Sequence, residues 1–157
     1  MFIEVKDAVK VYGGGENAIH AMDHVDLGVA GGEICVILGP SGSGKSTLLN
    51  MLGGLDSLDG GEIRVGDRKL SKLGKKELTE YRRSDVGVVF QSYNLIAELT
   101  VRENIRVVKD ISAEGSLDVD VLIDDLGLKK HALAFPAELS GGQQQRCAIG
   151  RALVKNP

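Results

Sequence analysis

Apolar residues alternate with polar ones over residues 2–12, with Ile3 and Val5 among them, and this two-residue period predicts a strand with one covered face. Residues 13–17 (GGGEN) read as a turn. AMDHVDLGV, residues 21–29, then alternates again through Val25, Leu27 and Val29. Residues 33–39 (EICVILG) break that rhythm. Their continuous apolar run predicts a parallel strand buried on both faces. The period lengthens to that of a helix over residues 45–53. GEIRVGDRKL predicts a short hairpin turning at Gly66 and Asp67, KKELTEYRRS a helix, and VGVVF (86–90) a second buried strand.

From Gln91 onward the spacing is helical. Thr100 and Glu103 frame a capping box ahead of NIRVV. Residues 118–126 predict a helix stopped at Gly127. Ser140 and Gln143 frame a second capping box at the head of the last helix. A β-rich start, an α/β centre and a helical block predict an α/β chain without repeats or linkers.

Composition narrows the function classes. The chain has 157 residues, 43% hydrophobic and 26% charged, the balance of an ordinary globular domain. Its net charge of −3 offers no basic field for nucleic acid, so no nucleic-acid partner is expected. Cys35 and Cys147 sit among apolar residues without zinc spacing and are expected to be buried and reduced. The start MFIEVKDAVKVY lacks a leader's basic and apolar regions, and no run reaches the roughly 18 apolar residues of a span. The chain is therefore read as soluble, and a membrane partner stays open.

Residues 39–46 (GPSGSGKS) match G-x-x-x-x-G-K-[ST] between a predicted strand and a predicted helix, the context that makes the motif specific. Such a loop folds its N–H groups around phosphate oxygens, with the helix end adding positive potential. Lys45 supplies a point charge to the β- and γ-phosphates, and the Ser46 hydroxyl is placed to ligate Mg²⁺. A glycine-rich turn without a ligand is the plain alternative, and eight matching positions make it remote. The Asn-Lys-x-Asp element that reads guanine is absent. Asp124 and Asp125, in VLIDD, imitate a metal-holding strand, but Val119, Leu122, Ile123 and Leu126 around them are spaced as a helix. Solvated or capping carboxylates are expected there.

LSGGQQQR (139–146), taken with the phosphate loop, closely resembles the ATP-binding subunits of ABC transporters, and the resemblance covers the whole chain. LSGGQQQR is similar to that family's signature motif, and VVFQSYNL to its Q-loop, with Gln91 as the glutamine. Within the family the chain most resembles the lipoprotein-release and macrolide-export type. Cys147 and Gly150 stand where valine and alanine are usual.

The resemblance implies an N-terminal antiparallel β subdomain plus P-loop NTPase core (1–91) and a helical subdomain ending in the signature helix (92–150), together a partial nucleotide-binding domain over 1–157. ATP and Mg²⁺ are the implied cofactors. Tyr12 would stack on adenine. Gly39, Ser41, Gly42, Ser43, Gly44, Lys45, Ser46 and Thr47 would surround the phosphates, with Lys45 and Gln91 catalytic and Ser46 and Gln91 at the metal. Ser140, Gly141, Gly142 and Gln143 would face the γ-phosphate held by a second nucleotide-binding domain, in a head-to-tail dimer. Transmembrane permease subunits are the implied partners, placing the chain on the cytoplasmic face of the membrane, where it would couple ATP binding and hydrolysis to transport.

In the family, the strand carrying the Mg²⁺-linked aspartate and the water-positioning glutamate follows the signature, and this sequence reaches Pro157 before any such pattern. ATP binding with negligible hydrolysis, and an unpaired apolar sheet edge, are expected of these residues alone. Two other readings stay open. One is a soluble ABC ATPase of DNA repair or translation, disfavoured because no long insertion, coiled coil or duplication occurs. The other is a nucleotide-binding module without turnover.

Overall fold

The computed structural model describes residues 1–112 and 115–157. It divides into two compact units, Met1–Thr79 and Glu80–Pro157.

The first unit is built on a four-stranded antiparallel sheet in the order β2-β1-β3-β4. β1 (Ile3–Tyr12) lies between β2 (Ile19–Val29), where Ile3 faces Val29, and β3 (Gly60–Val65), where Ile3 faces Val65. β3 turns through Gly66 and Asp67 into β4 (Arg68–Lys69), the predicted hairpin. Val5 and Ala8 are both buried although three residues apart. The register shifts between them, and Asp7 there takes a φ of 50°. That bulge resets which face the strand presents. Met22, Val29 and Ile63 complete the covered face, and α1 (Lys45–Leu52) lays Leu48 and Met51 against β2 and β3.

Two sequence expectations fail here. Neither 33–39 nor 86–90 is a strand. Ile34, Val36 and Leu38 are 92%, 72% and 85% exposed, and Val89 and Phe90 are also open to solvent. A continuous apolar run says what a segment would bury, but a strand exists only through a ladder, and among the described residues neither run has one. Cys35 is consequently exposed rather than in a core, while Cys147 is fully buried as expected.

α2 (Lys75–Ser84) carries the chain into the second unit. There α3 (Val101–Ile111), α4 (Val119–Asp125) and α5 (Gly141–Leu153) pack around Val101, Ile105, Ile123, Leu128, Cys147 and Val154. Gly150 lets α5 come close. A β-carbon there would lie 2.8 Å from Leu126 Cδ1 and 2.9 Å from Ile105 Cδ1. Asn104 is buried in the same unit. Its Oδ1 accepts from Ile96 N at 2.8 Å, and its Nδ2 donates to the carbonyls of Ile96, Leu99 and Thr100.

Candidate nucleotide site

Each helix of the second-unit core opens on a side chain that accepts from its first turn: Thr100 for α3, Asp118 for α4 and Ser140 for α5. α1 opens on Gly44, which has no side chain to do this, so its first-turn N–H groups are left for a ligand. Gly44 is required there for two reasons. Its φ is 84°, and a β-carbon would overlap the Ala21 carbonyl oxygen of β2.

Lys45 folds back over the loop. Its ammonium donates to Gly39 O at 2.8 Å, Pro40 O at 2.6 Å and Ser43 Oγ at 3.2 Å. All three acceptors are neutral, so the positive charge is solvated by the loop without being balanced by it. A cleft of about 300 Å³ adjoins it, lined by Ala21, Met22, Val25, Leu38, Lys45 and Leu48 among others. Gly39, Ser41, Gly42, Ser43 and Ser46 are exposed around the loop, and Thr47 is half-buried on the first turn. A phosphate would meet a cation, uncapped N–H groups and serine hydroxyls together. The Ser46 hydroxyl is a hard oxygen donor of the kind that Mg²⁺ shares with phosphate oxygens.

Tyr12 ends β1 and is 40% exposed. Its phenol donates to Asp56 Oδ2 at 2.8 Å. That bond, joined by burial, raises the Tyr12 pKa, while the nearby Thr47 hydroxyl acts in the opposite direction. Lys10, two residues earlier and so on the same strand face, is only 7% exposed. Its ammonium donates to Ser57 O at 2.7 Å and Asp56 Oδ1 at 3.2 Å, and stands 5.1 Å from the Tyr12 ring centroid. Burial works to raise the Asp56 pKa, but hydrogen bonds from Ser57 N–H, Tyr12 and Lys10 outweigh it and hold the carboxyl below its ordinary value.

The other sequence-predicted residues lie in the second unit. Gln91 is on an exposed turn. Tyr93 and Asn94 follow it in left-handed conformations, φ 61° and 48°. Their carbonyls both accept from the Arg151 guanidinium. At the head of α5, Ser140 and Gln143 form the predicted capping box: Ser140 Oγ accepts from Gln143 N, and Gln143 Oε1 accepts from Ser140 N at 2.8 Å. With its oxygen so committed, Gln143 turns Nε2 toward His131 Nε2 at 3.0 Å, which must then accept. Gly141 and Gly142 are exposed and take no part in the box. Asp124 accepts from Lys129 at 2.8 Å on the surface of α4, in keeping with its helical spacing.

The profile of the family described as ABC transporter matches residues 22–157. The chain belongs to that family. It is 44% identical over 156 residues to the macrolide export ATP-binding/permease protein MacB of Marinobacter nauticus, covering 97% of this chain and 24% of that protein. It is 40% identical over 157 residues to a Mycoplasma pneumoniae protein named for an ABC transporter ATP-binding role, covering 99% of this chain and 34% of that protein. Among solved structures, the ATP-binding cassette MJ0796, described as a dimeric post-hydrolysis state bound to ADP and Pi, superposes with a TM-score of 0.90 at 40% identity. That match covers 99% of this chain and 70% of that one. The fold is thus that of an ABC-type α/β P-loop ATPase domain, and the chain spans only 34% and 24% of the two curated relatives.

Sequence reading missed Lys10, Asp56, His131 and Arg151. Lys10 carried a faint signal, because a lysine on the face that buries Ala8 breaks the apolar pattern. The other three act through distant contacts, which leave no local period.

Proposed function

We propose that this ABC transporter domain binds Mg²⁺–ATP through residues 39–47 and serves a membrane transporter as its nucleotide-driven subunit. The observation that carries this is the Lys45 ammonium, held by three neutral acceptors at the uncapped start of α1. The loop exchanges those acceptors for phosphate oxygens. Ser46 would hold Mg²⁺, which when bound would neutralise phosphate charge. Tyr12 stacks on the base.

Gly141 and Gly142, at the exposed head of α5, meet the nucleotide of a second cassette in a head-to-tail pair. The dimeric solved cassette and the export proteins among the relatives support this reading, with permease subunits as partners on the cytoplasmic face of the membrane. Among the described residues no helix is long and apolar enough to cross a membrane.

Titration of Mg²⁺–ATP into the chain and its Lys45→Ala variant tests the proposal. Affinity should fall by at least about tenfold, as for loss of a charged phosphate contact. Equal affinity would overturn it.

A further inference from the structure

Resting on the reading of Tyr12 as a base platform, we infer that Lys10 and Asp56 are positioning residues that fix the Tyr12 ring and close one of its faces. The geometry is a closed set within the first unit. Asp56 receives the Tyr12 phenol on Oδ2 and the Lys10 ammonium on Oδ1, and Ser57 O takes a second ammonium hydrogen. Asp56 is itself anchored by Ser57 N–H at 2.7 Å. Asp59 stands 3.8 Å from the same ammonium, and its Oδ2 accepts from Val11 N at 2.8 Å, pinning the backbone between Lys10 and Tyr12.

A nearly buried lysine is an expensive way to fill space, and aliphatic packing alone would not need its charge. Here the charge meets two carboxylates and a carbonyl and stands over a ring. The cation stands over one face of the Tyr12 ring, and the residue is nevertheless 40% exposed. A base must then stack from the opposite side. A cation behind the ring draws its π density away from that side, which favours an electron-rich base such as adenine.

The test compares two probes on the whole chain: Mg²⁺–ATP, and inorganic tripolyphosphate, which has no base. Lys10→Met should weaken ATP about five- to tenfold and leave tripolyphosphate unchanged, and Lys10→Arg should restore most of the loss. Should Lys10→Met fail to fold, Asp56→Asn is read the same way, because it keeps the side chain's size and weakens its hold on both the phenol and the ammonium. Equal weakening for both probes would overturn the inference, showing a merely structural role. Unchanged ATP affinity in Lys10→Met alongside a loss in Tyr12→Ala would overturn it while sparing the base platform. If Tyr12→Ala itself binds both probes as the unaltered chain does, the underlying reading of Tyr12 fails.

Discussion

Arg151, in the last turn of α5, donates to the carbonyl of Tyr93 at 2.6 Å, and through its other amino group to that of Asn94. It thereby holds two consecutive non-glycine residues in left-handed backbone. Such conformations cost about 1–2 kcal/mol each and persist only where their surroundings enforce them. Losing two hydrogen bonds from a charged donor costs a further few kcal/mol at most. Arg151→Met should therefore destabilise the chain by about 2–3 kcal/mol in urea unfolding. It should also speed proteolytic cleavage near residues 91–95. Unchanged stability and cleavage would show that the segment holds its shape without the arginine.

Asn104 makes a second prediction because its oxygen and nitrogen are both committed to the segment before α3. Asn104→Ala strands the Ile96 N–H and opens a cavity in a fully buried site. A loss of about 2–4 kcal/mol in unfolding free energy is expected. Asn104→Asp should be worse, since it directs a carboxylate at the carbonyls of Ile96, Leu99 and Thr100. An aspartate as stable as the native residue at neutral pH would contradict the hydrogen-bond assignment.

The two cysteines should separate cleanly. Cys35 is exposed and is expected to react with a maleimide in the native chain, whereas Cys147 should react only on unfolding. Burial pushes the Cys147 thiol up to about 11, against a weaker opposite pull from Arg151. Above the ordinary value near 9, the unfolded chain releases this proton and the folded chain keeps it. Stability should then fall as pH rises from about 9 to about 11, and Cys147→Val should lack that part of the fall. Native labelling of both thiols would refute the burial.

Gly141→Asp probes the proposed pairing of two cassettes. A β-carbon at Gly141 would have only the Tyr93 phenol near it, at 3.9 Å, and an acidic residue suits the first turn of a helix. The fold should accept the change. A carboxylate about 4 Å from a partner's γ-phosphate, however, would be repelled by about 4 kcal/mol at an effective dielectric near 20. ATP-driven dimer, read by light scattering, should be lost while ATP binding through Lys45 persists. A variant that still dimerises on ATP would remove α5 from the interface.

What was readable in the sequence was local. The capping boxes at Thr100 and Ser140, the hairpin at Gly66 and the helix after the phosphate loop rest on residues within one turn of each other, so their spacing is their mechanism. The family, too, was legible, because its phosphate loop and signature are contiguous motifs. Tertiary structure alone decided the rest. Val5 and Ala8 share a face because a bulge at Asp7 intervenes. Residues 33–39 and 86–90 have the composition of buried strands and are not strands, since hydrogen-bonded ladders need partners that composition does not name. Lys10, Asp56 and Tyr12 form one network although up to 46 residues separate them. A charge at that range leaves no period in the chain, because only the folded backbone brings it to its partner.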